Sequence, residues 1–283
     1  MKLSITTNEF FLLRDIIHEK TGIFLGDNKK YLIETRLSHL VGDSQCKTFT
    51  EYYFKIKNSQ RNCSHITKLV DAITTNETLW FRDSHPFHIL EKRIFPELRE
   101  NAMAKGAGAI HIWSAACSTG QEPFSIAMKV LEMCGQGPFS HTFHDQVRIL
   151  ATDVSTRAIA IADAAKFDAI AIARGLDSYY LDKYFTREES LWAISKKVRD
   201  MVTFKHFNLR EPFLGILGPF DVIFIRNVMI YFSDDFKQEL FRRIEGVLKP
   251  GGFLILGTGE SVTGYSSRFE MIPFEGSIYY RLK

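Results

Sequence analysis

Residues 110–128 constrain the fold of this chain more than any other stretch. Residues 110–113 are apolar and residues 114–120 are small. From Phe124 onward apolar residues recur at helical spacing, with Pro123 suited to a first helical turn. This pattern predicts a strand, a tight loop and a helix. Such a junction directs backbone N–H groups and a helix N-terminus above the edge of a parallel sheet, where nucleotide-like cofactors commonly bind.

The predicted loop does not carry a phosphate-binding pattern. It matches neither G-x-G-x-x-G nor G-x-x-x-x-G-K-[ST], which bind dinucleotide and nucleoside triphosphate phosphates. It is also followed by Glu122, whose carboxylate would repel a phosphate. A cofactor with a cationic centre and no phosphates tolerates that acid better, and the sulfonium and amino groups of S-adenosylmethionine fit this description.

Composition argues against several other classes of protein. No apolar run approaches the ~18 to 20 residues that cross a bilayer, and the N-terminal segment lacks the apolar core of a signal peptide. A cytoplasmic protein without direct membrane insertion is therefore expected. A formal net charge of +3 gives no support for a nucleic-acid partner.

The cysteines and histidines do not predict a metal site. Four cysteines are widely spaced and form no C-x-x-C pair, which suggests neither zinc nor a disulfide framework. The pairs His85/His88 and His141/His144 could meet a metal, but no neighbouring residues complete a familiar ligand pattern.

Residues 1–75 read as a small helical domain. The helix boundaries predicted from capping residues and apolar spacing are Thr7 or Asn8 to Gly22, Asp27 or Asn28 to Gly42, residues 49–57 and residues 66–73. Lys29, Lys30 and Arg36 put positive charge on the second helix, where Lys29 and Arg36 share a face. This stripe is either an ordinary solvated face or a docking surface for an acidic partner, and composition does not choose between them.

Residues 74–90 link the helices to the sheet. Their first residues are typical of a capping box, and helical spacing would put Thr78 and Arg82 on one face of an amphipathic helix. Asn76, Thr78 and Arg82 make this segment unusually polar for its position just ahead of the first strand.

The rest of the chain alternates between strands and helices, which predicts a parallel α/β sheet. The further predicted strands are residues 147–151, 202–207, 221–225 and 253–256. Residues 186–201 suggest a small antiparallel excursion, and residues 269–281 suggest two closing strands that form an antiparallel edge.

Polar residues follow the predicted strands at the edge where open α/β sheets bind ligands. They are Asp153, Asn208, Arg226 and Asn227. Asp153 is placed to accept hydrogen bonds from ribose hydroxyls, and it also suits the N-cap of the following helix.

Four motifs make the chain resemble the chemotaxis receptor methyltransferases, the CheR-type enzymes. These motifs are TTNETLWFR at 74–82, WSAACSTGQEPFSIAM at 113–128, ATD at 151–153 and FDVIFIRNVMIYF at 220–232. The resemblance implies transfer of a methyl group from S-adenosylmethionine to glutamate side chains of chemoreceptors, giving glutamate methyl esters and S-adenosylhomocysteine.

The resemblance also implies an architecture. Residues 76–283 would form a class I S-adenosylmethionine-dependent methyltransferase domain, Rossmann-like, with a mostly parallel seven-stranded sheet and an antiparallel edge. Residues 1–75 would form the all-α N-terminal domain, and a small β insertion would lie at about 186–206.

Individual residues match functional positions of the family. Asn76, Thr78 and Arg82 match the segment that closes over the methionine end of the cofactor. Glu122 matches the acid beside its amino acid portion, and Asp153 matches the ribose acid. The remaining matches are Asn208 with Leu209 for adenine, Arg226 with Asn227 for cofactor contacts after the fourth strand, and Arg82 with Tyr231 for orienting the receptor glutamate.

The chain departs from the family pattern in places. Gln121 stands where the family usually has a second acid, and Phe124 stands where it often has Tyr. Neither change removes a matched contact. Residues 186–201 are short and glycine-free, whereas members that tether to a receptor pentapeptide carry an extra glycine-containing loop there. We therefore expect a monomer that methylates chemoreceptor cytoplasmic domains without that tether and is recruited to membrane-bound receptor arrays.

Two alternatives remain open at this point. One is a methyltransferase of the same fold that acts on nucleic acid or a small molecule, although an amino-methylating DNA enzyme would show N-P-P-Y or D-P-P-Y where this chain has R-N-V-M-I-Y. The other is an adaptor that binds the cofactor or receptors without turnover. Arg82 and Tyr231 argue against the adaptor.

Overall fold

The structure is a computed structural model that describes residues 3–59, 64–105, 108–135, 143–216 and 218–283. An N-terminal helical unit packs around its own apolar core, which includes Leu13, Leu37 and Phe49. Its helices are α1 (Thr7–Thr21), α2 (Lys30–Asp43), α3 (Phe49–Lys57) and α4 (Ser64–Ile73).

The N-cap of α1 is Thr6, one residue before the predicted caps Thr7 and Asn8. Thr6 Oγ1 accepts the N–H of Glu9, and the Glu9 carboxylate accepts the N–H of Thr6 at 2.9 Å, which forms a capping box. Glu9 also accepts the N–H of Thr50 at 3.0 Å, so one acid fixes the starts of two helices. A single 3-10 turn, Asp27–Lys29, precedes α2, which begins without a side-chain cap, and the predicted cap Asp27 pairs with Arg14 at 2.9 Å.

Gly22, at the predicted end of α1, lies where the helical unit meets the rest of the molecule. Its φ is 77°, and a Cβ there would overlap the Phe236 ring. Glycine therefore meets both a conformational and a packing requirement at this position.

The helix predicted from residue 74 does not form, and that prediction was wrong. Residues 75–79 lie outside any helix, and the chain turns at residues 80–83. Phe81, Asp83 and Ser84 have φ of 48°, 65° and 45°, which a right-handed helix does not allow. Tertiary contacts hold this turn, because Trp80 is buried and donates its backbone N–H to Arg174 O at 3.0 Å.

The rest of the chain, from residue 85 onward, is an α/β unit. Its helices are α5 (His85–Ile89), α6 (Phe95–Lys105), α7 (Gln121–Cys134), α8 (Thr156–Ala164), α9 (Ala169–Ala173), α10 (Ser178–Tyr184), α11 (Lys196–Arg199) and α12 (Asp234–Val247). Its strands are β1 (Ile110–Ala115), β2 (Val147–Asp153), β3 (Lys166–Phe167), β4 (Phe185–Glu188), β5 (Leu191–Ile194), β6 (Val202–His206), β7 (Phe220–Ile225), β8 (Leu248–Leu256), β9 (Phe269–Phe274) and β10 (Ser277–Leu282).

A seven-stranded sheet has the order β6-β2-β1-β7-β8-β10-β9. Its first five strands are parallel, and β10 and β9 are antiparallel, which confirms the predicted sheet with its antiparallel edge. β2 and β7 flank β1 on opposite sides, so the direction of winding reverses there. In open α/β sheets this reversal places the ligand crevice at the carboxyl end of β1.

The predicted antiparallel excursion is a three-stranded sheet with the order β3-β5-β4. It begins earlier than the predicted range of 186–206, because Lys166 and Phe167 pair with β5. Val202–His206 belongs to the large sheet instead, where it pairs with β2. Phe167, Phe185 and Ile194 bury this small sheet against the main core and so explain its position. Within the described residues no helix is long and apolar enough to cross a membrane.

Candidate functional site

A cavity of about 390 Å³ lies at the carboxyl ends of β1, β2 and β7. The helical unit contributes several residues between positions 21 and 36, together with Ile73, to the wall of the cavity. All the residues that the sequence singled out for the site line this cavity: Asn76, Thr78, Arg82, Glu122, Asp153, Asn208, Leu209, Arg226, Asn227 and Tyr231. Segments far apart in sequence thus meet at one place.

Asp153 is a buried acid at the end of β2, with 6% of its surface exposed. Its two carboxylate oxygens accept the backbone N–H groups of Ser118 and Ser155, each at 2.8 Å. Burial raises the pKa of Asp153, and the N–H groups of Ser155 and Ser118 act in the opposite direction. Since an ionised carboxylate offers about four acceptor positions, this acid keeps capacity for a ligand.

Glu122 and Arg226 form a buried ion pair at the start of α7. Arg226 Nη1 donates to Glu122 Oε2 at 2.8 Å, and the side chains are 1% and 13% exposed. Glu122 Oε1 accepts the hydroxyl proton of Ser114 at 2.8 Å. Arg226 Nη2 donates to Asp83 Oδ2 at 2.9 Å and to Arg82 O at 2.7 Å. Arg226 therefore ties β7 to α7 and to the turn that carries Arg82.

Arg82 lies on the turn of positive-φ residues, and such strain is often found at functional sites. The turn is anchored on three sides: Arg226 binds Arg82 O, Phe81 N donates to Ser125 Oγ at 3.2 Å, and the Trp80 indole N–H donates to Ala171 O at 3.0 Å. Arg82 is held through its backbone carbonyl, and its half-buried side chain lines the cavity.

Asn208 follows β6 and joins the α/β unit to the helical unit. Its Nδ2 donates to Lys20 O at 2.6 Å, and its Oδ1 accepts the N–H of Arg210 at 2.9 Å. Leu209 beside it is buried and supplies an apolar wall of the cavity. The Asn208 side chain therefore fixes the position of this wall.

Glu260 is a residue of this region that the sequence did not single out. Its carboxylate accepts four backbone N–H groups, those of Asn227, Val228, Met229 and Gly257, at 2.8 to 3.0 Å. It thereby holds Asn227 at a φ of 58°. A Cβ at residue 257 would lie 2.6 Å from Glu260 Oε2, so only glycine fits there. The distance in sequence between Glu260 and Asn227 left no short-range signal for this role.

Tyr231 follows β7 and lies against the helical unit. Its carbonyl oxygen accepts the N–H of Phe24 at 2.7 Å, and Ile23 forms an antiparallel bridge with Phe232. The side chain of Tyr231 is 37% exposed at the mouth of the cavity.

The basic stripe on α2 has a structural role in part. Arg36 donates to Ile73 O, Thr74 O and Thr75 Oγ1, which fixes the start of the polar segment. Lys29 and Arg36 line the cavity, and Lys30 is partly buried at the start of α2.

The cavity also contains a thiol. Burial raises the pKa of Cys117 well above its usual range, and the charges of Asp153 and Glu122 act in the same direction. Cys117 is therefore a neutral thiol at physiological pH. Among the residues that the structure describes, no cluster of three or more acids, histidines and cysteines could hold a metal. His88 contacts Glu275 at 2.7 Å, and His141 lies outside the described residues.

Two family models match the chain. CheR methyltransferase, all-alpha domain, matches residues 8–77, and CheR methyltransferase, SAM binding domain, matches residues 76–278. Together they account for nearly all of the chain, including both the helical unit and the α/β unit.

Relatives match along almost their full length. Chemotaxis protein methyltransferase 1 of Pseudomonas aeruginosa is 38% identical to this chain over 286 residues, which cover 99% of this chain and 100% of that protein. Chemotaxis protein methyltransferase of Escherichia coli is 30% identical over 274 residues, which cover 95% and 90%. The chain belongs to the CheR methyltransferase family and is an S-adenosylmethionine-dependent methyltransferase.

Proposed function

We propose that this enzyme methylates glutamate side chains in the cytoplasmic domains of chemoreceptors and produces glutamate methyl esters. The observation that carries the proposal is the arrangement of charge in the cavity. Glu122 and Asp153 line its interior, Glu77 lines it at an exposed position, and Arg82 lies on the anchored turn that lines it. This arrangement suits a cationic cofactor within and a carboxylate acceptor beside it.

The acids of the cavity fit S-adenosylmethionine. We assign Asp153 to the ribose hydroxyls and Glu122 to the amino group, because each keeps free acceptor positions beyond its protein hydrogen bonds. Asn76 and Thr78 are assigned to the methionine end, Asn208 and Leu209 to adenine, and Arg226 and Asn227 to the amino acid end. The contacts of Arg226 with Glu122 and Asp83 indicate that it acts mainly by holding these groups in place.

The residues around the acceptor need only position it. S-adenosylmethionine supplies an electrophilic methyl group, and a glutamate carboxylate with a reference pKa of ~4.3 is already ionised at neutral pH. No general base is therefore required. We assign Arg82 and Tyr231 to orienting the carboxylate, because correct placement and exclusion of water account for much of the acceleration in such reactions.

Cofactor affinity should depend on pH through Asp153. Because burial raises the pKa of Asp153, it takes up a proton at a higher pH than an ordinary aspartate. Protonation removes acceptor capacity toward the ribose hydroxyls, so the Kd of S-adenosylhomocysteine should increase as pH falls through the raised pKa. Calorimetric titration at a series of pH values tests this, and Asp153→Asn should bind weakly with a flatter profile. A native profile as flat as that of the variant would contradict the assignment.

The acceptor is tested by transfer of labelled methyl from S-adenosylmethionine to receptor-containing membranes, followed by mild alkali. Methyl esters release volatile methanol, whereas N-methyl groups survive. We expect alkali-labile label on a receptor band. Alkali-stable label, or label on nucleic acid, would overturn the proposed substrate.

The same assay tests the tether. We propose that receptors truncated at the C-terminus are methylated as fast as intact receptors, because β4 and β5 of the small sheet are joined only by Glu189 and Ser190, with no extra glycine-containing loop between them. A large loss on truncation would show dependence on a tether. We further propose a cytoplasmic monomer that is recruited to receptor arrays, with domains at residues 1–75 and 76–283.

A further inference from the structure

Asp71, on the last helix of the helical unit, binds the start of α8 in the α/β unit. Its carboxylate accepts the hydroxyl protons of Ser155 at 2.7 Å and Thr156 at 3.0 Å. Ser155 is fully buried, and Asp71 is partly buried. None of the family motifs includes Asp71, and the reaction itself assigns it no role.

The hydroxyl of Ser155 is completely used. Its single proton points to Asp71, which leaves its two lone pairs as acceptors. They accept the N–H of Ala158 at 3.1 Å and the side-chain amide of Asn76 at 3.3 Å. Asp71 therefore decides which way this hydroxyl points, and the hydroxyl in turn orients Asn76.

These contacts close into a ring of hydrogen bonds at one wall of the cofactor cavity. Ser155 donates its N–H to Asp153 at 2.8 Å, and Ser118 donates its N–H to the other oxygen of Asp153 at 2.8 Å. The Ser118 hydroxyl donates to Asn76 O at 2.8 Å, which returns to the segment that Ser155 orients. Two residues assigned to the cofactor, Asn76 and Asp153, are thus held by one ring, and Asp71 binds that ring from outside.

We propose that Asp71 is a positioning residue for S-adenosylmethionine, and that it couples the docking of the helical unit to cofactor affinity. The proposal rests on the assignment of Asn76 and Asp153 to the cofactor and is independent of the methyl acceptor. Without Asp71, the Ser155 proton turns to another acceptor, and the hydroxyl no longer offers both lone pairs to Ala158 and Asn76. Cofactor affinity should fall, whereas the methyl transfer step, to which Asp71 makes no contact, should be unchanged.

Substitutions at residue 71 separate this role from a general effect on folding. Asp71→Ala is expected to raise the Kd of S-adenosylhomocysteine and the KM of S-adenosylmethionine about tenfold, with kcat at saturating cofactor within about twofold of native. Asp71→Asn keeps an oxygen that accepts the Ser155 proton, so its Kd should stay within about threefold of native. Asp163→Ala is the matched control, because Asp163 is an exposed acid on α8 itself, and its Kd should equal that of the native protein.

A double-mutant cycle with Ser155 completes the test, with calorimetric Kd as the readout and melting temperature recorded for each variant. If Asp71 acts through the Ser155 hydroxyl, Asp71→Ala should add little to the Kd of Ser155→Ala. Native affinity in Asp71→Ala, no rescue by Asp71→Asn, or multiplicative effects in the double variant would each overturn the proposal. If Asp71→Ala does not fold, the other two variants test the proposal. Asp71→Asn should then bind the cofactor with native-like affinity, and Ser155→Ala should bind it more weakly. Because the titration contains no receptor, its result is separate from the identity of the methyl acceptor.

Discussion

Replacement of Arg82 by alanine should lower kcat for receptor methylation by about two orders of magnitude, the size of loss expected when a reacting group is misplaced by about 1 Å. The turn should remain intact, because it is held through Arg82 O, Trp80 and Phe81 and not through the Arg82 side chain. Cofactor affinity should change much less than kcat. Single-turnover methyl transfer at saturating cofactor, together with the melting temperature, measures these effects.

Arg82→Lys is the informative comparison for this site. Lysine keeps the charge but not the planar pair of donors, so it should restore only part of the lost turnover. Near-normal turnover in Arg82→Ala would remove Arg82 from the proposed mechanism. Equal losses of stability and activity would instead indicate a structural role.

Arg226→Met should be the most destabilising single change in the site. It removes a guanidinium that is 1% exposed and leaves Glu122 buried without its partner, which typically costs about 3 to 5 kcal/mol. It also releases Arg82 O and Asp83, so activity should be lost together with stability. Equilibrium urea unfolding measures the change in the free energy of unfolding.

The double variant Arg226→Met with Glu122→Gln tests the physical cause of the stability loss in Arg226→Met. If an uncompensated buried charge dominates, neutralising Glu122 should recover a large part of the lost stability. Activity should stay low, because the turn at Arg82 remains released. A double variant that is less stable than Arg226→Met alone would show that packing, and not charge, accounts for the loss.

The large sheet was predictable because its signals are local. β1, β2 and β7 are short apolar runs, and each is followed by polar residues at the ligand edge. The hydrophobic pattern and the order of the strands along the chain were therefore sufficient to place Asp153 and Arg226 at one edge of the sheet. The existence of the small antiparallel sheet was predicted from the sequence, but its first and last residues were not. Lys166 and Phe167 carry no strand signal of their own and become a strand only by pairing with β5.

The turn at Arg82 was mispredicted for a different reason. Its sequence begins like a helix, and the capping pattern is present, but Trp80 is bound to Arg174 and Ala171 far along the chain. Those tertiary hydrogen bonds override local propensity. The roles of Glu260 and Asp71 were not predicted for the same reason. Their partners Asn227 and Ser155 lie in distant segments, and a single acid forms no sequence motif.

The attachment of the helical unit limits how this enzyme can be recombined with its relatives. Gly22 has no room for a side chain against Phe236, Ile23 pairs with Phe232, and Asn208 holds Lys20 O. A chimera that exchanges the N-terminal helices alone would bring a foreign surface against these contacts. The helices and the loops that follow β6 and β7 therefore pack as one unit, and engineered exchanges should transfer them together.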